Sequence, residues 1–387
     1  MTLQQPSSQT AHRDAALVGL RGIAVLMVFL FHYGGGLKSP HFAVRLLGYL
    51  TAAGWTGVVL FFTLSGFLIT GSLWDSRGNQ HWFRNFYARR FLRILPLYYT
   101  ALALSAIGLF EAWHNLHLLQ KFFTYVLFLQ NMPWLEPTAV AIPTPLPLYH
   151  LWSMAVEEQF YLLWPCVLLM VRNRRSAFRL CAWVFVASAA FRVVIFGLPQ
   201  ISLQHSYPYR DFLLTHAGEF ALGACLAFAW RDPRDPKDRS IARFALPALL
   251  IGLAVYVLSS LICHNFSWDL NLQYVLGLTG ASLAAVALLA LALQDGILRR
   301  LCSIAPLRFM GRISYGFYIF HILLQGFIDV ISRNIVHSNA GSSYQIARLL
   351  VAFPLSLLVS WISFHLLETP FLRLKRYFPM RPPLAVE

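Results

Sequence analysis

The sequence predicts an all-α, polytopic membrane bundle of about ten transmembrane helices with both termini cytoplasmic. Three observations predict it. The 387 residues are 58% hydrophobic and only 12% charged, with a mean hydropathy of +0.58, whereas soluble domains are about a quarter charged. Apolar runs of about 20 residues, the length that spans a hydrocarbon core, recur along the chain. Lys and Arg gather on one side of those runs, as the positive-inside rule requires.

In chain order the runs are Leu17–Tyr33, Gly54–Trp74, Ile94–Trp113, Leu151–Val171, Phe178–Leu198, Phe212–Trp230, Phe244–Cys263, Leu272–Leu293, Ile313–Ile331 and Ile346–Leu367. No small-residue cleavage site follows the first, which reads as a retained helix and not a signal peptide. Phe122–Leu129 is too short to cross and reads as interfacial or re-entrant. With the N-terminus inside, 24 of the 31 Lys and Arg fall in inner loops and tails. Only Lys38, Arg45, Lys121, Arg210 and Arg333 fall outside, and Arg192 and Arg348 lie within helices. An eleventh span at Phe122–Leu129 would carry "RNRR", Arg172 to Arg175, to the wrong side. The net charge of +15 therefore reflects membrane topology and gives no reason to expect nucleic acid. "RDPRDPKDR", Arg231 to Arg239, reads as a solvated inner loop. The membrane domain spans 17–367, between a short N-terminal tail (1–16) and a basic C-terminal tail (368–387). Five single cysteines without CxxC spacing indicate neither a disulfide framework nor a zinc site.

Ionisable residues at helix centres cost about 2.5–3.5 kcal/mol each on insertion scales, so each marks a candidate site. Arg21 and His32, in "RGIAVLMVFLFH", are eleven residues apart. That is almost three helical turns, so both share one face about 16 Å apart along the axis. An interfacial anchor and a hydrogen-bonded core histidine would read the same way. In "LWSMAVEEQFYLLWP", Leu151 to Pro165, Glu157 sits at a depth close to that of His32. Helical spacing puts His150, Ser153, Glu157 and Trp164 on one face and turns Glu158 about 100° away, with Met154 and Tyr161. Glu157 is expected to face a reaction chamber, and Glu158 to hydrogen-bond a neighbouring helix. Arg192, Glu219 and His321 are further intramembrane polar groups, the first two a candidate ion pair. "FRNFYARRFLRILPLYY" gathers Arg84, Arg89, Arg90 and Arg93 at the inner face. Arg90 and Arg93 are neighbours at i and i+3, and Arg forks match phosphate. A headgroup anchor is the alternative.

"LVGLRGIAVLMVFLFHY", "GWTGVVLFFTLSGFLIT", "FYARRFLRILPLYY", "LYHLWSMAVEEQFYLLWP", "FMGRISYGFYIFH" and "LLETPFLRLKR" resemble, in order, the recurring blocks of the acyltransferase-3 family of membrane O-acyltransferases. The match runs from about Leu17 to Arg376. One departure is Val18, where the family often has an Asp in "LDGLR". The resemblance implies a multi-pass enzyme of the bacterial inner membrane that moves an acyl group, commonly acetyl, from cytoplasmic acyl-CoA to a hydroxyl of a carbohydrate or similar acceptor. The family's Arg–His motif falls on Arg21 and His32, its RxxR motif on Arg90 and Arg93, and its WSLxVEE block on Trp152, Ser153, Glu157 and Glu158. No segment of the chain reads as the SGNH-type hydrolase domain that some members append.

That chemistry suits the polar map. An alcohol is a poor nucleophile until a base takes its proton, and His is the usual base near neutral pH. His32 is the expected base, oriented by Glu157 in the manner of a triad. Arg90 and Arg93, with Arg21, would hold the CoA phosphates. Ser153, Trp152, Glu158 and His321 would line the substrate path. No permanently bound cofactor or metal is expected, and the partners are acyl-CoA, a carbohydrate acceptor and membrane lipid. A proton-coupled transporter is the rival, since buried His and Glu also build relays, but no internal repeat of the kind transporters show is found. The acceptor, the acyl chain and the oligomeric state stay open at this level.

Overall fold

The computed structural model describes residues 8–34, 42–108, 116–135, 147–197, 206–231, 239–267, 271–338 and 341–380. Lys38, residues 232–238 of the polar inner loop, the far ends of the expected third and fifth spans (109–113 and 198), and both chain termini lie outside them.

Among the described residues every regular element is a helix. The order is α1 (Ser8–Gly34), α2 (Phe42–Ala52), α3 (Thr56–Asp75), α4 (Trp82–Gly108), α5 (Leu116–Val126), α6 (Trp152–Leu169), α7 (Arg174–Phe196), α8 (Leu213–Trp230), α9 (Arg239–Ile262), α10 (Leu278–Leu293), α11 (Ile297–Cys302), α12 (Ala305–Leu323), α13 (Gln325–Val336), α14 (Gly341–Ser363) and α15 (Thr369–Arg373). Local chemistry marks several boundaries. Asn173 caps α7 by accepting from the Ser176 amide at 2.9 Å, which satisfies one of the donors left free at a helix start. Pro stands in the first turn of α12 and α15, where its missing N–H costs nothing.

Seven described helices are long and apolar enough to cross a membrane, or eight if α12 and α13, bent by 61°, form one span. The ten spans expected from the sequence are a finer division than this count. The expected ninth span, Ile313–Ile331, is broken at Leu324 between α12 and α13. The expected third and fourth spans fall on α4 and α6, outside that count. In α6 the polar run Glu157, Glu158 and Gln159 dilutes the apolar stretch. The 11-residue α5 is too short to cross, as the sequence indicated. Helix also extends past both expected edges of the membrane domain. α1 begins at Ser8, and the chain beyond Leu367 stays helical to Tyr377. That segment docks on α4, where Arg89 donates to the carbonyls of Lys375 (3.1 Å) and Phe378 (3.2 Å) and Asn85 donates to Pro379 (2.9 Å).

Two close helix pairs set the framework. α1 and α12 run in the same direction, with Val18 against Gly311, Phe29 against Phe317 and His32 against His321. A Cβ on Gly311 would overlap the Val18 carbonyl oxygen, and one on Gly22 would overlap that of Leu307. α3 and α8 also run together, Phe62 against His216 and Trp74 against Phe228, with Gly66 on Phe220 and Gly223 on Thr63 backbone to backbone at the crossing. Lipid tails are as apolar as Leu, so helices in a membrane associate through this kind of tight small-residue contact. α6 lies along α3 in the same sense, with Trp152 near Phe62 and Trp164 donating to Thr70 at 2.8 Å. α3 runs opposite to α1, because Gly57 meets Ala24 and Gly54 meets Met27.

Gly311→Ala should therefore destabilise the fold by the roughly 1–3 kcal/mol typical of overpacking. Gly296→Ala, whose added Cβ meets nothing within 4 Å, should be neutral. Thermal unfolding in detergent checks the pair; equal midpoints for both variants would contradict the α1–α12 contact.

Candidate active site

α1 and α12 each carry polar groups at two levels, because residues three, four and seven apart share a helical face. On α12 Ser314, Tyr315, Tyr318 and His321 follow one another along the face turned to α1. At the lower level a cavity enclosing about 710 Å³, open mouth included, is walled by α1, α3, α4, α6 and α12. Arg21, Arg90 and Arg93 line it, and Glu157 is the one carboxylate in its wall, a formal balance of +2. Arg90 lies over the rings of Tyr161 (5.3 Å) and Phe86 (5.7 Å), contacts that hold a guanidinium against an aromatic face. Of the four arginines read as a ledge, Arg90 and Arg93 reach the cavity. Arg89 ties down the C-terminal segment, and Arg84 is exposed.

Glu157 faces this cavity, as expected, but it does not orient His32. It accepts hydrogen bonds from Ser65 of α3 and Tyr161 one turn further along α6, and the two hydroxyls stand 3.1 Å apart. No hydrogen bond joins Glu157 to His32. Nor does Glu157 share the expected depth of His32: His150, about two turns earlier in the chain, is the residue that packs beside His321 at the His32 level, while Glu157 lies below it among the arginines. α6 presents Glu157 to α3, whereas α1 presents His32 to α12.

His32 sits at the other level. Its Nδ1 lies 2.9 Å from the Val28 carbonyl and 3.2 Å from Nε2 of His321. His321 is fully buried, and its Nδ1 lies 2.7 Å from the Tyr318 carbonyl. These carbonyls require a proton on each Nδ1, which leaves the lone pair of His32 on Nε2. Tyr149, an exposed side chain, has its ring 6.3 Å from that of His32. His150 is 2% exposed and packs its ring 5.5 Å from both Tyr318 and His321. Tyr318 belongs to both levels: it lines the cavity, donates to the His150 carbonyl at 2.9 Å and meets Ser153 Oγ at 2.5 Å.

The remaining expected residues divide. Ser153 lines the cavity. Trp152 does not; it packs on His216 at 5.2 Å. Glu158 makes no hydrogen bond to a neighbouring helix, and its Oε1 is buried without a partner. Its field is shared with Arg90 and Tyr315. Sequence reasoning missed Ser65, Tyr161, Tyr315, Tyr318 and Glu368. Glu368 is 6% exposed, with Oε1 unpartnered beside Gly316 and near Arg93. It closes a π-helical turn, Phe364–Glu368, a distortion frequent at functional sites. Each missed residue stands inside a block already quoted, so the signal was present.

Arg192 and Glu219, read as a candidate ion pair, meet at 3.6 Å with both side chains fully buried. Ser282 donates to Glu219 at 3.1 Å, and His216 lies 4.0 Å from the same oxygen.

A family model described as an acyltransferase domain matches residues 14–365. The chain belongs to the acyltransferase-3 family. It is 26% identical over 376 residues to the peptidoglycan O-acetyltransferase OatA of Listeria monocytogenes, covering 91% of this chain and 54% of that protein. It is 29% identical over 322 residues to the putative peptidoglycan O-acetyltransferase YrhL of Bacillus subtilis, covering 79% and 47%. It is 25% identical over 370 residues to the O-acetyltransferase OatA of Staphylococcus aureus, covering 92% and 56%. The chain thus spans about half the length of these relatives. No solved structure matches it.

Removing one partner of a buried ion pair costs about 3–5 kcal/mol, whereas replacing both with apolar groups is often neutral. Arg192→Met and Glu219→Leu should each lower the thermal midpoint sharply, and the double variant should recover most of the loss. A double variant as unstable as the sum of its singles would show that the two charges serve other partners.

Proposed function

We propose that the chain is a multi-pass O-acyltransferase of the bacterial inner membrane that moves an acyl group, most simply acetyl, from cytoplasmic acyl-CoA to a hydroxyl of a surface glycan. The observation that carries this reading is the two-level strip along α1 and α12. A cavity with three arginines stands at one level and a histidine with its Nδ1 engaged stands at the other, with Tyr318 between them. The peptidoglycan named for the relatives supports a glycan acceptor, and no transporter appears among the relatives reported.

In this reading Arg21, Arg90 and Arg93 hold the phosphates of the donor, where guanidinium forks match phosphate oxygens. The positive-inside bias supports the cytoplasm as the side from which the cavity is filled, and the count of Lys and Arg supports cytoplasmic termini. The thioester points along the strip toward Tyr318. The acceptor hydroxyl meets Nε2 of His32, which takes its proton as the oxygen attacks the thioester carbon. Val28 and His321 engage Nδ1 and so hold the ring in the tautomer that exposes a lone pair on Nε2. This is the task that triad logic gives to a carboxylate. Tyr149 supplies an aromatic face near the acceptor's entry. Glu157 serves the arginines: it is the carboxylate in the wall of their cavity, and the hydroxyls of Ser65 and Tyr161 fix it there.

His32→Ala should abolish acyl transfer, a loss of at least the 10²–10⁴ of an acid–base group, with donor affinity unchanged. Near-full turnover in that variant would refute the role. Arg90→Ala and Arg93→Ala should raise the apparent KM for acyl-CoA with less effect on kcat, because phosphate contacts remote from the thioester supply uniform binding. Lys at either position should rescue poorly. Unchanged CoA affinity in both alanine variants would leave these arginines as lipid anchors.

Glu157→Gln separates the two roles for that residue. It keeps an acceptor for Ser65 and Tyr161 and removes one negative charge beside an anionic donor, so the apparent KM for acyl-CoA should fall. A loss confined to kcat, with KM unchanged, would return Glu157 to the histidine.

A further inference from the structure

The reaction has a proton to place. The acceptor loses it at His32, the C–S bond of the donor breaks, and the leaving sulfur carries an electron pair. If the thioester reaches from the arginine cavity to an oxygen held at His32, its carbonyl carbon lies between the two levels. The sulfur then lies on the cavity side, beside Tyr318 and Ser153. Base and leaving group are on opposite sides of the reacting carbon. A separated imidazolium and thiolate in a membrane interior would carry a large desolvation cost, so a route that reunites them has a physical reason to exist.

The side chains between His32 and the cavity outline such a route, with His150 at its centre. His150 is 2% exposed, and its ring nitrogens make no hydrogen bond of good geometry; only loose contacts with the backbone of Ile319 and Tyr318 reach them. Buried polar groups are nearly always well satisfied, so a buried imidazole held only by loose backbone contacts needs a reason. Its ring centre lies 5.5 Å from that of His321 on one side and 5.5 Å from that of Tyr318 on the other. At such separations a turn about the terminal ring torsion brings a nitrogen toward hydrogen-bond range of either neighbour. The two flanking contacts are already made: His321 Nε2 to His32 Nδ1 at 3.2 Å, and the Tyr318 hydroxyl to Ser153 at the cavity wall at 2.5 Å. The backbone carbonyl of His150 is itself held by Tyr318 at 2.9 Å, which fixes the residue between them.

We propose that His150 completes a proton path from His32 through His321 to Tyr318 and Ser153, returning the acceptor's proton to the departing thiolate. This rests on the reading of His32 as the base. The steps balance with no further reactant but water. His32 gains the hydroxyl proton on Nε2 and passes its Nδ1 proton to His321 Nε2; after the ester leaves, proton exchange with water removes the Nε2 proton and restores the Nδ1 proton held by the Val28 carbonyl. The His321 ring turns and hands the proton it received to His150. His150 hands it to Tyr318, whose own proton moves through Ser153 or directly to sulfur. The O–acyl bond forms, the C–S bond breaks, and CoA leaves as the neutral thiol. His321 and His150 touch neither substrate; they are positioning residues for the proton.

The test uses the purified full chain in lipid nanodiscs with acetyl-CoA and an N-acetylglucosamine oligosaccharide, with ester formation read by mass spectrometry and acetyl-CoA binding read by calorimetry. His32→Ala, His150→Gln and Tyr318→Phe are compared with the wild-type chain. Gln keeps a hydrogen-bonding side chain at position 150 but cannot accept and release a proton, and Phe removes only the hydroxyl. Both should lose about 10–100-fold in kcat, a fraction of the range for an acid–base group, with acetyl-CoA affinity within about twofold. Their residual turnover should show a larger solvent deuterium isotope effect than the wild type, because proton return has become limiting. A residue that only packs would not move that ratio. If His32→Ala is inactive while both other variants turn over within about twofold of wild type with its isotope effect, the path is overturned and His32 stands. If His32→Ala transfers normally, or the wild-type chain transfers nothing, the reading of the base falls and the path falls with it.

Discussion

The contact of α1 with α12 is the constraint on which the site depends. With Gly22 and Gly311 at the crossing, the two backbones come closer than any side chain larger than hydrogen would allow. Because the helices run in the same direction, groups at matching heights meet. Arg21 shares a cavity wall with Ser314 and Tyr315, and His32 falls beside His321. A looser crossing would leave His32 and His321 out of hydrogen-bond reach and would open a lipid-sized gap between two rows of polar side chains. In hydrocarbon such a gap cannot be filled by water at low cost. The glycine contact and the polar strip therefore need each other.

The same logic explains how so many charges are tolerated away from water. Three arginines converge on one cavity, and their mutual repulsion is offset by Glu157 with its two hydroxyl partners, by the ring faces of Tyr161 and Phe86, and by Glu368 near Arg93. Arg192 and Glu219 answer the same demand elsewhere by pairing with each other at 3.6 Å. The difference between the two places is stoichiometry. The second is one cation to one anion and is fully buried. The first has an excess of positive charge beside an opening, which is an arrangement suited to a polyanionic ligand and a poor one for stability alone.

Much of this was legible in the sequence, and the limits follow from geometry. The all-helical bundle followed from apolar runs and the near absence of charge. The sharing of one face by Arg21 and His32 followed from eleven residues at 3.6 per turn, and the pairing of Arg90 with Arg93 from i and i+3. Glu157 and Ser153 line the cavity, but so do Met154 and Tyr161, which helical spacing had set apart with Glu158, while His150 and Trp164 of the expected face do not. Neither the level nor the partner of Glu157 was legible, because depth was counted from the edge of an apolar run and the identity of the facing helix is a second coordinate. Only the packing of α6 on α3 supplies the second. The break at Leu324 was hidden for a related reason: the apolar run continues through it, and hydropathy carries no information on direction. Tyr318, three residues before His321 on one face, had a spacing that could have found it, whereas Glu368 stands on a turn whose π-helical form no spacing announces.

His32 presents an argument about division of labour. In a soluble hydrolase a carboxylate behind the imidazole fixes its tautomer and stabilises the cation that forms. Here the group behind the imidazole is a second imidazole, with a backbone carbonyl beside it. A carbonyl fixes the tautomer as well as a carboxylate does, but it cannot offset a full positive charge. A neutral imidazole can accept the extra proton and move the charge one ring onward. The membrane setting favours that solution, since a permanent carboxylate at this depth would carry its own insertion cost of about 2.5–3.5 kcal/mol in every state of the cycle, whereas two neutral rings carry charge only while a proton is in transit. The carboxylate that the sequence offered for the task is instead placed where charge is permanent, among the arginines.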